Sequence, residues 1–293
     1  MKQLTRHCCR SLTTLLLTAA GSPALIAADA VDKSRFTLFN PTPHEHLRAL
    51  STDRPDKTES AYTVDAGHFQ IEIDVVNYTH DHDSGGGTDT TVDAWAIAPI
   101  NFKIGLRNNV DFQAVIGTYH HLRTEDEVAA RRTVQQGFGD VVNRLKINLW
   151  GNDGGPTAMA VMPFIKYPTA QDHLGNSGVE GGVIIPLAVA LPAGWGMGVM
   201  TELDIARDEV GHSYHAEFVN SITFARDIVG NLGGYVEFWS MVSTERGADW
   251  AGTFDVGLTY GLSDNIQLDA GINIGVTDSA DDFNPFVGVS FRF

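Results

Sequence analysis

Apolar and polar residues alternate along most of the chain beyond residue 67. In "HFQIEIDVVNY" (68–78) every second residue from Phe69 to Val75 is apolar, and the residues between them are Gln70, Glu72 and Asp74. Successive side chains of a β-strand point to opposite faces of the sheet. The alternation therefore predicts a strand with one apolar face and one largely acidic face.

Eleven further segments show a similar pattern, and the sequence contains no convincing amphipathic helix. The twelve predicted strands lie at about 68–78, 92–106, 110–121, 138–150, 157–168, 179–191, 195–206, 214–225, 232–243, 251–260, 266–277 and 285–293. Most have about ten residues or more, whereas strands of soluble proteins average roughly five or six. The sequence therefore predicts an all-β fold with long strands.

The connections between these strands alternate between long and short. Long ones such as "THDHDSGGGTDT" (79–90) follow the odd-numbered strands, and tight turns such as "RNN" (107–109) and "SDN" (263–265) follow most even-numbered ones. An even number of long strands with this alternation is typical of outer-membrane barrels. A soluble β-sandwich or barrel is the alternative. The pattern favours a transmembrane, antiparallel outer-membrane β-barrel of about 12 strands with its apolar faces toward lipid.

The first thirty residues have the features of an export signal. Three basic residues precede the short apolar core "SLTTLLLTAA" (11–20), and small residues around Ala30 suit cleavage. The sequence therefore divides into a signal peptide (1–30), an N-terminal periplasmic or lumen segment (31–67) and a barrel (68–293).

The charge and the cysteines limit the partners and the chemistry of the mature chain. The sequence has 20 basic and 36 acidic residues, and cleavage after Ala30 leaves 17 and 35, a net charge of −18. Such an acidic protein is a poor ligand for nucleic acid. Cys8 and Cys9 both lie in the predicted signal, so the mature barrel has to be stable without disulfides.

The polar faces of the predicted strands are expected to line the lumen. Their acidic residues are Glu72, Asp74, Asp93, Asp111, Asp140, Glu180, Glu202, Asp204, Glu217, Glu237, Asp255 and Asp269, and their basic residues are Lys103, Arg144, Lys146, Lys166 and Arg292. Trp95, Ile97, Tyr119 and Trp239 are predicted on the same inner face. About eight strands give a filled lumen and about sixteen give an open channel, so about twelve suit a narrow passage.

This mixed lining predicts a path for small solutes, amphipathic or aromatic ones among them. The candidate residues of the path are Glu72, Asp74, Trp95, Lys103, Asp111, Tyr119, Asp140, Arg144, Lys146, Lys166, Glu202, Asp204 and Glu237. The excess of acids predicts a preference for cations and neutral polar groups over anions. A purely structural network of paired charges is the alternative reading of these residues.

The sequence predicts no enzyme, no cofactor and no metal ion. The run "HDHD" (80–83) contains metal-ligand types, and histidines also occur in pairs at 120–121 and at 212 and 215, but their spacing is not specific. No G-x-S-x-G, H-E-x-x-H or phosphate-loop pattern occurs. The alternatives to a channel are an outer-membrane hydrolase acting on lipid or peptide, and a plugged structural or adhesive barrel.

The charged run "TDRPDKTES" (52–60) directly precedes the first strand. It would begin at the periplasmic mouth of a lumen lined with both charge signs. We predict that it folds into or across this mouth as a plug, with charged residues that pair with Arg144, Lys146, Glu72 and Asp74, and a proline that prevents strand pairing. The candidate plug residues are Asp53, Arg54, Pro55, Asp56, Lys57 and Glu59. A mobile tail is the alternative.

Three stretches resemble one bacterial family. The stretch "STDRPDKTESAYTVDAGHFQIEIDVVNY" (51–78) is similar to the opening of proteins described as transporters or as "Putative MetA-pathway of phenol degradation". The positions that match the second part of this motif are Thr63, Val64, Gly67, Gln70 and Glu72. The stretches "GFGDVVNRLKINLWG" (137–151) and "MPFIKYPT" (162–169) resemble strands of the same family. The resemblance implies a porin-like outer-membrane barrel for uptake of hydrophobic or aromatic compounds, without catalytic residues.

The last residues resemble the assembly signal of Gram-negative outer-membrane barrels. In "FVGVSFRF" (286–293), apolar residues alternate from Val287 to Phe293. The resemblance implies that the barrel-assembly machinery recognises Phe293. The other expected partners are outer-membrane lipid, lipopolysaccharide and the small-molecule solute.

Overall fold

Antiparallel β-strands make up most of the structure, a computed structural model that describes residues 31–293 except 85–86 and 209–212. The predicted signal peptide and His212 lie outside the described residues. The strands are β1 (Phe69–Asp83), β2 (Thr90–Ile97), β3 (Ile100–Arg107), β4 (Val110–Ile116), β5 (Tyr119–Asp126), β6 (Arg131–Gly137), β7 (Val141–Trp150), β8 (Thr157–Tyr167), β9 (Glu180–Ala190), β10 (Trp195–Arg207), β11 (Tyr214–Val229), β12 (Leu232–Ser243), β13 (Ala251–Ser263), β14 (Ile266–Gly275) and β15 (Phe283–Arg292). Within the described ranges, no helix is long and apolar enough to cross a membrane.

Three pairs of consecutive strands are the two halves of one interrupted strand. Both β2 and β3 pair with β1, β5 continues the line of β4, and β6 continues the line of β7. The fifteen segments therefore make twelve strands. β15 pairs with β1 and closes the sheet, and Phe69 and Phe293 exchange both backbone hydrogen bonds at 2.9 Å. The predicted all-β, antiparallel barrel of twelve strands is confirmed.

The two ends of the barrel differ in their connections. One end, which we call the turn end, has the short turns and the C-terminal Phe293. The other, the loop end, has the longer connections, such as residues 168–179 and 244–250. The N-terminal segment approaches β1 at the turn end, where the Gly67 N–H donates to the Gly105 carbonyl at 2.8 Å.

Register partners share a face of the sheet, so the register separates the inner wall from the outer wall. Gln70, Glu72 and Lys103 are buried inside the barrel. Phe69, Ile71 and their partners alternate with them on the outer face. The predicted division into a polar inner face and an apolar outer face therefore describes β1 and β3 near the turn end.

A row of irregularities, which we call the break line, crosses four neighbouring strands. Its members are a register shift between Asp74 and Val76 in β1, Ala98 (φ 53°) and Pro99 between β2 and β3, Gly117 and Thr118 between β4 and β5, and residues 138–140 between β6 and β7. The breaks bond to one another, since the Asp74 N–H donates to the Pro99 carbonyl at 3.2 Å and the Gly139 N–H to the Gly117 carbonyl at 2.8 Å. Breaks of this kind bend a barrel wall locally.

The break line reverses which residues face the lumen in β2, β5 and β6. Asn77 pairs with Phe286, which lies inside the barrel, so the next residue, Tyr78, faces outward. Trp95 is opposite Tyr78 and 43% exposed, and Tyr119 is opposite the outward-facing Ile97 and 39% exposed. The inner-face prediction was therefore wrong for Asp93, Trp95, Ile97 and Tyr119. A strict alternation drawn across residue 98 assigns Asp93, Trp95 and Ile97 to the wrong side, and one drawn across residues 117–118 does the same for Tyr119.

Aromatic side chains form two groups on the outer face. Near the turn end, Phe69 stacks on Phe102 and Phe293 with ring centroids 6.0 Å apart. Toward the loop end, Tyr78 lies 4.4 Å from Trp95. Phe69 and Tyr78 are roughly 30 Å apart along β1. Tilting by about 40° reduces this to a height close to the apolar band of an outer-membrane barrel.

Candidate functional site in the lumen

Residues 48–65, which we call the lumen segment, lie inside the barrel and contact its wall on many strands. At the turn end, the Arg48 guanidinium donates to the Asn108 carbonyl at 3.1 Å, and the Val64 N–H donates to Asp111 at 2.9 Å. Deeper residues contact β1, β3, β7, β10, β11, β12, β13 and β14. The contacts therefore surround the segment instead of fixing it to one side.

Asp53 is the centre of a buried ionic cluster. Its carboxylate accepts a hydrogen bond from the Lys146 ammonium at 2.5 Å and forms an ion pair with Lys103, which also pairs with Glu72. Lys146 and Lys103 are 0% and 2% exposed. Burial opposes ionisation of Asp53, but the charges of both lysines outweigh it and hold the pKa of the Asp53 carboxyl below its usual range. Two cations and two carboxylates thus balance inside the wall.

Arg54 connects the lumen segment to the three neighbouring strands β1, β15 and β14. Its guanidinium donates to Asp74 at 2.5 Å and to Asp269 at 2.6 Å, and it lies over the ring of Phe286 at 5.6 Å. The adjacent wall residue is Gly288, where an added Cβ would overlap the guanidinium. The absence of a side chain there lets Arg54 lie against the strand.

Lys57 and Thr58 bind the wall through backbone and side chain together. Their N–H groups each donate to the Glu237 carboxylate at 2.8 Å. The Lys57 ammonium donates to Thr253 at 2.8 Å and lies 4.6 Å from the ring centre of Trp239. Lys57 also forms an ion pair with Asp255 at 3.4 Å.

The remaining charged residues of the run are also enclosed. Glu59 accepts a hydrogen bond from Arg144 at 2.5 Å. Burial, and after it the charge of Glu237, raises the pKa of Asp56 well above its usual value. The sequence analysis named Glu59, Arg144 and Asp56, but it did not predict that Asp56 forms no ion pair within the part of the chain that the structure describes.

The other predicted path residues occupy three positions. Asp111 lies at the turn end beneath the lumen segment. Lys166 pairs with Glu180 at 2.5 Å and approaches Asp140 at 3.7 Å toward the loop end. Glu202 and Asp204 follow one another on the inner face of β10. Trp95 and Tyr119 lie on the outer face and are not part of the lumen. The role of the inner residues in solute passage stays a prediction.

A group of apolar residues lies on the inner wall, and the sequence analysis predicted only its member Trp239. The buried members are Met162, Ile184, Met200 and Val219, and the partly buried members are Phe164, Trp239 and Met241. The Glu59 N–H approaches the Met200 sulfur at 3.4 Å, so the lumen segment borders this group. Apolar residues occupy both faces of β8, as in "VMPF" (161–164), and alternation alone does not reveal which are inside.

The run "HDHD" does not converge on one site. His80 lies beside Asp93 on the outer face, with its Nδ1 atom 2.9 Å from the carboxylate. His82 lies 3.1 Å from Thr91, and the intervening Asp81 is on the opposite face. His120 and His121 likewise face opposite sides of the wall.

Two cavities flank the lumen segment at the turn end. One has a volume of about 480 Å³ and lies between the segment and the turn at residues 152–154. The other has a volume of about 600 Å³ and lies between residues 47–50 and the turn at residues 263–265. Arg48 and Arg292 line both. The segment therefore does not fill the whole cross-section of this mouth.

The substitution Gly105→Ala is expected to loosen the lumen segment. A Cβ at Gly105 would overlap the backbone carbonyl of Asp65. A backbone group cannot move aside as the end of a flexible side chain can. We expect protease to cleave the N-terminal segment of the detergent-solubilised variant several-fold faster than that of the wild type.

Gly261→Ala is the matched control for this change. A Cβ there would meet only the Cβ of Asn231, at an ordinary 3.8 Å. Equal cleavage rates for the two variants would contradict the close packing of Gly105 against the segment.

Comparison with protein families assigns the chain. Residues 52–293 match the family described as "Putative MetA-pathway of phenol degradation". The chain belongs to this family. The match begins at Thr52, so the family pattern includes the charged run of the lumen segment as well as the barrel.

Solved structures show the same type of fold. An outer membrane channel from Pseudomonas putida F1 is similar with a TM-score of 0.59 and 12% identity, over 83% of this chain and 100% of that one. The translocator domain of the autotransporter NalP from Neisseria meningitidis is similar with a TM-score of 0.50 and 10% identity, over 77% of this chain and 88% of that one. None of the curated proteins matches the sequence. The fold is thus that of an outer-membrane barrel.

Proposed function

We propose that this member of the phenol-degradation family is an outer-membrane channel for passive uptake of small solutes, with amphipathic and aromatic compounds among them. The observation that carries the proposal is the composition of the inner wall that borders the lumen segment. There Phe164, Trp239 and Met241 lie on the same wall as the carboxylates of Glu202 and Asp204. Such a surface suits a solute that has both an apolar ring and a polar or cationic group.

The same proposal assigns the two ends of the barrel. Short turns face the periplasm in outer-membrane barrels, and longer loops face the outside. The turn end, with the N-terminal segment, would then be periplasmic, and the loop end would receive solute in a Gram-negative outer membrane. Acidic residues at the loop end favour entry of cations.

Ion selectivity tests the acidic wall. In planar bilayers with a KCl gradient, the reversal potential is expected to show a cation preference, and the double variant Glu202→Gln/Asp204→Asn is expected to lose most of it. The control Asp83→Asn/Asp89→Asn removes two loop-end carboxylates and should leave the preference nearly unchanged, since Asp83 is exposed and the Asp89 side chain is 44% exposed. Equal effects of the two double variants would contradict selection by the inner wall.

Solute flux into proteoliposomes tests the apolar part of the wall. Benzyltrimethylammonium and tetramethylammonium have the same charge and differ by one ring, and benzenesulfonate reverses the charge. We expect uptake in the order benzyltrimethylammonium, tetramethylammonium, benzenesulfonate, and we expect Trp239→Ala to reduce the advantage of the ring. Absence of both conductance and flux would refute a channel.

A plugged structural barrel is the second candidate, favoured by the ring of contacts around the lumen segment. It predicts no current through the intact protein and current only in a variant without the segment. A channel predicts current through the intact protein as well. An outer-membrane hydrolase would be supported by lipid or peptide hydrolysis that survives purification to homogeneity.

A further inference from the structure

Four metal-ligand or acidic side chains converge at the loop end of the inner wall. His215 is the second residue of β11 and is opposite Ala206 of β10. Asp208 directly follows β10, and Glu245 lies two residues beyond β12. Glu217 is two residues after His215 in β11 and therefore shares its face. The alternation between Glu202, Asp204 and their partners places His215 and Glu217 on the inner face.

The distances around the imidazole fit a coordination sphere. The Nδ1 atom of His215 is 2.8 Å from an Asp208 oxygen and 3.9 Å from a Glu245 oxygen. Ligand atoms of these three residues all lie within 4.8 Å of one another. Nitrogen and oxygen ligands bind Zn²⁺ at about 2.0–2.2 Å, which separates tetrahedral ligands by roughly 3.4 Å. The observed separations lie on both sides of this value.

The second ring nitrogen has the partner that a metal-binding histidine needs. The Nε2 atom of His215 lies 3.1 Å from a Glu217 oxygen. A ligating histidine almost always donates its other N–H to a carboxylate, a carbonyl or water, which fixes the tautomer and the ring orientation. Glu217 would hold the proton on Nε2 and leave the Nδ1 lone pair directed toward Asp208 and Glu245.

The charge of the cluster also favours a cation. Three carboxylates surround one imidazole, and the His215 side chain is only 7% exposed. A proton on the imidazole balances one of these negative charges, and a divalent ion balances two. The mixture of imidazole and carboxylate suits Zn²⁺ better than Ca²⁺ or Mg²⁺, which prefer oxygen ligands alone.

We propose that Asp208, His215 and Glu245 bind one divalent transition-metal ion of the Zn²⁺ type at the loop-end mouth, with Glu217 as the positioning residue at the Nε2 atom of the imidazole. The inference concerns the mouth of the barrel and does not depend on which solute passes through it.

Titration calorimetry of the detergent-solubilised, chelator-treated protein tests the site with ZnCl₂ alone as the probe. The wild type is expected to bind one Zn²⁺ saturably, and His215→Ala is expected to abolish this binding. Glu217→Gln is expected to weaken it by about 10- to 100-fold, as is typical when the carboxylate behind a ligating histidine is lost. Asp208→Asn is a second ligand variant with less change in volume.

His80→Ala is the matched control, because His80 also lies next to a carboxylate but on the outer face. It should bind Zn²⁺ like the wild type. Migration as a folded barrel on unheated gels establishes that each variant is intact. Failure of the folded wild type to bind Zn²⁺, or equal affinity in the wild type and either ligand variant, would overturn the proposal.

Discussion

Deletion of residues 31–60 is expected to raise the single-channel conductance several-fold. The deletion removes Asp53, Arg54, Lys57 and Glu59, the residues that hold the lumen segment against opposite sides of the wall. The backbone hydrogen bonds that close β1 on β15 do not involve these residues, so the barrel should persist. Lys103 and Lys146 would then be hydrated in a wider lumen. Planar-bilayer recording of the shortened protein measures the change.

Deletion of residues 31–47 is the control for this experiment. It removes the first 17 of the 30 residues and keeps the charged run, so the conductance should stay near that of the intact protein. Equal conductance of the intact protein and both deletions would show that the segment does not obstruct the path, and it would then be a linker.

Asp53→Asn is expected to destabilise the docked lumen segment by about 3–5 kcal/mol, the usual cost of removing one partner of a buried ion pair. The substitution leaves Lys146 buried without the carboxylate that it contacts at 2.5 Å. An amide oxygen accepts a hydrogen bond but does not balance the charge. Protease cleavage of the segment and the frequency of open-channel events should both increase.

Two further variants separate charge from packing. Asp89→Asn makes the same chemical change at a side chain that is 44% exposed, and we expect no effect. Asp53→Asn/Lys146→Met removes both charges of the pair, and it should recover part of the loss because an apolar replacement of a buried pair is often tolerated. A double variant as labile as Asp53→Asn alone would argue against an unpaired charge as the cause.

The pH dependence of docking follows from the lowered pKa of Asp53. A carboxyl whose pKa is lower in the docked state than its ordinary 3.8 stabilises docking above that value and loses the contribution as the pH falls below it. Asp53 should therefore hold the segment equally well at pH 7.5 and pH 5.

The strands were predictable from the sequence because an alternation of period two is strong wherever one face is apolar. The break line was not, and "AWAIAP" (94–99) shows why. Both faces of this stretch are apolar, so the pattern fits either orientation. The reversal depends on the positive φ of Ala98, and an alanine in a sequence does not predict a positive φ.

The charged residues of the candidate site were predictable as two sets but not as pairs. The sequence analysis named Asp53, Arg54 and Glu59 on the segment and residues such as Lys146, Asp74 and Arg144 on the wall. Which pairs form depends on how deeply the segment enters and on the relative heights of distant strands. Asp269 and Asp53 are separated by most of the chain, and only closure of the barrel brings Arg54 between Asp74 and Asp269.

The position of Arg54 has a consequence for the order of assembly. Its guanidinium contacts β1 through Asp74, β15 through Phe286 and β14 through Asp269, so it lies across the joint between the first and last strands. That joint forms only after the final strand has been delivered. A charged run that entered a finished barrel would have to pass through the mouth beside Arg292. It would also have to lose its hydration before it reached its partners on the wall. We therefore expect the segment to be enclosed while the joint is still open, so that the barrel is built around it.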